Sequence, residues 1–323
     1  MRRLATLIIA LAVAMPLMAQ PKETMIYRHI DGHTLQLDHY KASSDKRANE
    51  RGLRPCVIFL FGGGFATGTR DREKYLPYFE MLGREGCDVI SIDYRLGLAK
   101  MSEASSEERK SLGIREAIEL MTRSVNYAAE DALYATNFLL NKASEWRIDP
   151  KRIIISGSSA GAIASLQAEY YICNGSEFAA HLPDNFNYAG VIAFAGAIYS
   201  TSGAPRWKSA PCPMLLFHGT SDGNVPYNKA SLVGIGMWGP AYIVETLERY
   251  GTPYHFYSVE YGTHALAETP MIEHHAEILD FVDSYVTHGC KIQRHSHIQD
   301  LKGEVRKQRF SVRDYLSNNY SGK

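Results

Sequence analysis

Apolar residues along the chain gather into short runs, separated by longer stretches in which they recur every third or fourth position. The runs lie at 56–61, 88–93, 152–156, 188–194, 214–217 and 255–259. Each has the length of a strand, and 56–61, apolar throughout, is what a strand buried on both faces of a parallel sheet requires. Between them, 74–85, 118–145, 160–171, 241–250 and 272–286 carry helical patterns, with Gly86 and Asp149-Pro150 as stop signals. Strands alternating with helices predict βα units on a doubly wound, mostly parallel α/β sheet flanked by helices. Ahead of them, 24–40 alternates loosely around the turn pair Asp31-Gly32 and predicts a β-hairpin. The charged, Ser-rich stretch 100–115 reads as an insertion, on the surface or as a flap over a site. No repeat or low-complexity linker divides the chain, so a single domain over 20–290 is expected.

Two segments stand outside this alternation. Arg2 and Arg3 precede the apolar run 4–18, and small Ala19 follows before Gln20. That order predicts a secretory signal peptide over 1–19, hence a secreted or periplasmic protein. The run is short of the roughly 20 residues a membrane span needs, although an uncleaved anchor is the alternative. No Cys ends the run, so no lipid attachment is expected there. At the other end, 291–323 holds eight Lys/Arg against three Asp/Glu. Its low apolar content predicts a basic tail with no place in the sheet, partly disordered or a short surface helix. His295 and His297 in it lack matching ligands, so no metal is expected.

Lys plus Arg and Asp plus Glu each number 35, so the formal net charge is zero and nothing points to a nucleic-acid partner. The five cysteines (Cys56, Cys87, Cys173, Cys212, Cys290) form no CxxC or Cys/His cluster. Export permits disulfides without requiring them, and an odd number leaves one thiol free or paired between chains. Cys56 and Cys87 open strands that could be neighbours, but most of the five read as small buried hydrophobes.

The chemistry centres on Gly157-Ser158-Ser159-Ala160-Gly161, which follows the strand at 152–156 and precedes a helix. In that setting G-x-S-x-G is a nucleophile elbow: a tight turn with small residues on both sides presents Ser159 at a helix N-terminus. A serine hydroxyl needs a base and an oxyanion site. The glycines of Phe61-Gly62-Gly63-Gly64-Phe65 end an earlier strand and can bring backbone N–H groups to an oxyanion. Gly63, Gly64 and the N–H of Ala160 are the candidate donors. The remaining partners are expected in the order Ser, Asp, His. Asp222 follows the strand at 214–217 and His264 follows the strand at 255–259, both at the carboxyl edge where sites on such sheets collect. His264 would take the proton of Ser159, and Asp222 would hold the imidazole. His218, His255, His274 and His275 read as structural or surface residues. Phe65, Trp207 and Trp238, with Tyr199 and the glycine-rich 234–239, are candidates to line a substrate pocket.

Taken together, Gly62-Gly63-Gly64-Phe65, Asp93-Tyr94-Arg95, Ile148-Asp149-Pro150 leading into 156–161, His218-Gly219 with Asp222 and Val225-Pro226, and Gly262 with His264 resemble the carboxylesterase/lipase branch of the α/β-hydrolase superfamily. The resemblance covers roughly 54–286. It implies a serine-dependent carboxylic ester hydrolase with the triad Ser159, Asp222 and His264, and with no cofactor or metal. The implied substrate is a small or oligosaccharide-linked ester such as an acetyl or feruloyl ester. One departure is Phe61, where members with a His-Gly-Gly-Gly motif carry histidine. A serine peptidase of the same superfamily and a catalytically silent binding protein with this fold are the alternatives.

Overall fold

A computed structural model describes residues 22–105, 107, 108, 112–299, 304–311, 314 and 318. The expected signal peptide over 1–19 lies outside the described residues. In chain order the strands are β1 (Lys22–Ile30), β2 (His33–Tyr40), β3 (Arg54–Leu60), β4 (Asp88–Ile92), β5 (Ile148–Ser158), β6 (Gly190–Phe194), β7 (Ile198–Ser200), β8 (Met214–Gly219), β9 (Lys229–Leu232), β10 (Ile235–Trp238), β11 (Tyr254–Val259) and β12 (Gln293–Ile298). The helices are α1 (Leu76–Arg84), α2 (Ala99–Glu103), α3 (Ile114–Trp146), α4 (Ala160–Asn174), α5 (Pro240–Tyr250), α6 (Pro270–Glu273) and α7 (His275–Asp280).

Nine strands form one sheet in the order β1-β2-β4-β3-β5-β6-β8-β11-β12. The hairpin β1–β2 joins antiparallel to β4, and every later pairing is parallel. All residues of β3, β4, β6 and β8 are buried, which explains why these strands are mostly apolar. The doubly wound, mostly parallel sheet flanked by helices is therefore as the chain pattern predicts.

The predicted helix at 272–286 is interrupted. It divides at His274 into α6 and α7 and continues as a π-helical turn over Phe281–Thr287.

Polar residues buried at the sheet ends lock the frame. Asp131 of α3 accepts the backbone N–H and Nε of Arg95, both at 2.9 Å, and also pairs with Arg28. Asp93 accepts from Gln36 N–H and Arg70, and the Tyr94 hydroxyl donates to the Phe61 carbonyl at 2.7 Å. The triplet Asp93-Tyr94-Arg95 thus ties β2, α3 and the end of β3 together.

Two expectations need correction. The basic tail does enter the sheet: β12 pairs parallel with β11 from Tyr254↔Gln293 to Val259↔Ile298, so the folded unit runs past residue 290. An edge strand needs no apolar run when polar side chains dock it. His295 Nε2 and His297 Nδ1 lie 2.9 and 2.8 Å from the Ser258 hydroxyl, and the His295 ring stacks on Phe256 at 4.6 Å. Further on, Gln308 donates to the Thr220 hydroxyl at 3.1 Å. Second, the glycine-rich 234–239 belongs to a β-hairpin. β9 and β10 turn at Val233-Gly234 and pair with β7 in a separate three-stranded antiparallel sheet. Most of the cysteines are small buried residues, as expected: β3 and β4 are neighbours, Cys56 faces Asp88 across the pair, and all five are free thiols, four of them buried.

Candidate active site

β5 ends at Ser158 and α4 begins at Ala160, leaving Ser159 alone to turn the chain, with φ 52° and ψ −116°. Positive φ costs energy in a residue with a Cβ and persists only where the surroundings impose it. Here Ser159 N–H donates to the Phe194 carbonyl at the end of β6, at 2.8 Å. The flanking glycines are demanded by close approach. A Cβ on Gly157 would lie 2.3 Å from the Gly161 carbonyl carbon, and one on Gly161 would lie 2.1 Å from the Leu60 carbonyl oxygen. The helix can begin directly above the sheet only without those side chains.

Two loops bring partners to Ser159. After β8, Asp222 sits in a tight turn and is 3% exposed. After β11, His264 opens a 3₁₀ turn, His264–Ala267. The loops are bonded to each other through Ser221 N–H to Gly262 O at 2.9 Å and Tyr261 N–H to the Thr220 hydroxyl at 2.8 Å. Ser158 Oγ donates to Ala267 O at 2.8 Å, fastening the histidine loop to the elbow. The result is a chain of contacts: Ser159 Oγ to His264 Nε2 at 2.8 Å, and His264 Nδ1 to Asp222 Oδ2 at 2.8 Å.

The electrostatics suit that chain. Asp222 Oδ1 accepts the backbone N–H groups of Asn224 and Val225 at 2.8 and 3.0 Å. Burial alone raises the Asp222 carboxyl, but hydrogen bonds from His218 and His264 outweigh it and hold the group well below the usual carboxylate range. An ionised Asp222 fixes the proton of His264 on Nδ1 and leaves Nε2 free to accept from the serine.

The glycine loop after β3 faces the same space. Gly63, Gly64 and Ala160 line one cavity with Ser159. Their backbone N–H groups donate to no protein acceptor among the described residues. Phe61 supports this loop from beneath. Its ring stacks on Tyr94 at 4.4 Å, and the Tyr75 hydroxyl accepts the Gly62 N–H at 3.0 Å. Aromatic stacking thus fills the place where the resemblance led to a histidine.

The cavity measures about 270 Å³. Leu98, Met101, Met121, Ile163 and Val225 supply an apolar lining, with Ser102 and Asn224 as its polar side chains apart from Ser159. Phe65 lines it. Trp207 and Trp238 do not. Trp207 packs edge-on against Tyr170 at 5.1 Å and Trp238 is buried in β10. Tyr199 is likewise absent from the lining and bonds to Thr122. Aromatic residues serve cores and pockets alike, so residue type alone could not place these three. The wall residues that were not anticipated come from 98–102, from α3, from Ile163 of α4, and from Ala66 and the loop at 224–225. The one available signal was the reading of 100–115 as a flap.

His218 was expected to be structural. It lies against the far side of Asp222, with Nε2 3.3 Å from Oδ2. Among the described residues, no group of three or more His, Cys, Asp or Glu is placed to hold a metal, and no helix is long and apolar enough to cross a membrane.

No protein-family model matches the chain. It is 31% identical over 124 residues to fumonisin B1 esterase of Sphingopyxis macrogoltabida and 30% identical over 122 residues to esterase B1 of Culex pipiens. These matches take in 38% of this chain and about a fifth of the length of each relative. Apo esterase 2 of Thermogutta terrifontis superposes with a TM-score of 0.57 at 21% identity, over 83% of this chain and 96% of that one. The same esterase in its butyrate-bound form and phosphorylated by paraoxon superposes with a TM-score of 0.56 at 20% identity, over 82% and 84% of this chain and 95% and 98% of those. The chain has the α/β-hydrolase fold.

Proposed function

We propose that the protein is a serine-dependent carboxylic ester hydrolase acting on small esters with a short apolar acyl group. The observation that carries this reading is the contact chain Ser159–His264–Asp222, built at the strained elbow beside a glycine loop with undonated N–H groups. Similarity to esterases over about two-fifths of the chain supports it.

In this reading Ser159 Oγ attacks the ester carbonyl carbon as its proton passes to His264 Nε2. The carbonyl oxygen takes up the negative charge and is met by the N–H groups of Gly63, Gly64 and Ala160. Asp222 stabilises the imidazolium and keeps its orientation. Collapse of the tetrahedral intermediate breaks the bond to the alcohol oxygen, which receives the proton from His264. Water then gives its proton to His264 and attacks the acyl-enzyme, and the carboxylic acid leaves with Ser159 restored. Every proton has a carrier among these residues.

The acyl side follows from the cavity. Pockets for drug-sized ligands run from roughly 300 to 1,000 Å³, and this one, at about 270 Å³, lies below that range. Apolar walls that carry no charged side chain among the described residues favour acetyl to butyryl groups, whether on a simple alcohol or on a sugar, over a feruloyl group. The leader-like run 4–18 supports a site of action outside the cytoplasm. Hydrolysis of aryl acetate, butyrate, octanoate and ferulate esters by the purified chain and by Ser159→Ala tests the proposal. It requires turnover of the short esters that disappears in the variant. Turnover that survives Ser159→Ala, or preference for ferulate, counts against it.

A further inference from the structure

Asp222 Oδ2 is shared by two imidazoles. His264 occupies one side at 2.8 Å, and His218, from the end of β8, occupies the other at 3.3 Å. His218 is completely buried, and the same Nε2 lies 3.1 Å from the Val225 carbonyl oxygen. Both neighbours of Nε2 are acceptors. Among the described residues Nδ1 is buried without a partner. A proton on Nδ1 would have nothing to bond and would leave two acceptors facing a bare nitrogen, so the geometry calls for the Nε2–H tautomer.

We propose that His218 is a positioning residue for the acid of the relay, its Nε2–H spanning Asp222 Oδ2 and the Val225 carbonyl. The inference rests on the reading of Asp222 as that acid. Oδ1 is pinned by the N–H groups of Asn224 and Val225, and Oδ2 by the two imidazoles, so the carboxylate plane is held from both ends. The Val225 carbonyl ties that plane to a residue of the cavity wall.

A donor behind Oδ2 also draws charge away from His264. The groups facing Asp222 are the two imidazoles and the two backbone N–H groups. His218 is faced by Asp222, by the Tyr227 ring at 6.0 Å and, across the β8–β11 pair, by Ser258. His264 is faced by Ser159 and Asp222. Removing the His218 donor concentrates the carboxylate charge on His264 and stabilises its protonated form. The acid limb of the rate profile then moves to higher pH, since that limb reports deprotonation of the base.

The test compares His218→Phe, which keeps a ring but removes the donor, with His218→Gln, whose amide nitrogen can reach the place of Nε2. With a short aryl ester, His218→Phe should lose about tenfold in kcat with KM little changed, the scale of one hydrogen bond to a charged group. Its acid limb should rise by about half a pH unit, and His218→Gln should restore both. Unchanged kcat and acid limb in a folded His218→Phe protein overturn the proposal. If that variant does not fold, nitrogen NMR of the wild-type histidines decides: the Nε2–H tautomer at His218 is expected, and the Nδ1–H tautomer overturns it. Labelling of Ser159 by a fluorophosphonate, read on the wild type, reports separately on whether the serine relay itself operates.

Discussion

Replacing Gly161 by alanine should damage stability and turnover together, because of where its Cβ would fall. That atom would sit 2.1 Å from Leu60 O, 2.5 Å from Leu60 C and 2.6 Å from Phe61 O. Ordinary contact begins near 3.4 Å, so α4 and the end of β3 must part by more than an ångström. Backbone on both sides leaves no flexible side chain to give way. Overpacking of this kind costs about 1–3 kcal/mol. At about 2–4 °C per kcal/mol for domains approaching this size, melting should fall by roughly 2–12 °C. The same separation moves Ala160 N–H, on α4, away from Gly63 and Gly64, on the loop that leaves β3. Misplacement by about 1 Å costs on the order of 10²-fold in rate. Differential scanning calorimetry and aryl acetate kinetics measure both effects. Gly113→Ala is the control, since its Cβ meets nothing within 4 Å. A Gly161→Ala protein that melts and turns over like Gly113→Ala would refute the argument that close packing of helix on strand builds the site.

Other expectations follow from single contacts. Asp222→Asn places an amide where Oδ2 now accepts from His264, which favours the wrong imidazole tautomer; kcat should drop about 10⁴-fold with the fold retained by circular dichroism. Met121→Trp narrows the cavity, so the octanoate-to-acetate activity ratio should fall severalfold, and an unchanged ratio would remove Met121 from the acyl wall. Glu169 is buried, its Oε2 has no partner among the described residues, and burial raises its carboxyl despite bonds from Cys212 N–H, Cys173 and Asn187. A carboxyl raised in the folded state contributes stability below its unfolded value of about 4.3 and loses it as pH climbs through the folded one. The melting temperature of Glu169→Gln minus that of the wild type should therefore increase from pH 4 to pH 8, and a difference constant with pH would contradict this.

The central part of the fold was legible because its signals are local. A strand buried on both faces is mostly apolar: 56–61 and 214–217 are apolar throughout, and 88–93 carries Val89, Ile90 and Ile92. The elbow was legible for the same reason: strand, small-residue turn and helix are contiguous, and Gly157 and Gly161 stand where the backbone has no room for a Cβ. The positions of Asp222 and His264 followed from their place after β8 and β11. Structure held by polar or long-range contacts was not legible. β12 is docked by His295 and His297 on Ser258, a pairing that leaves no apolar run to detect. Trp207 and Trp238 present the same side chain to a core as to a pocket. The cavity wall joins 98–102 to Met121, Ile163 and Val225, and no spacing along the chain announces that meeting.

Rapid-quench mass spectrometry during turnover of an aryl butyrate addresses the central claim most directly. The account predicts a transient butyryl adduct on the peptide containing Ser159, absent in Ser159→Ala along with hydrolysis. A burst of product with no adduct on that peptide, or an adduct on another residue, would contradict it.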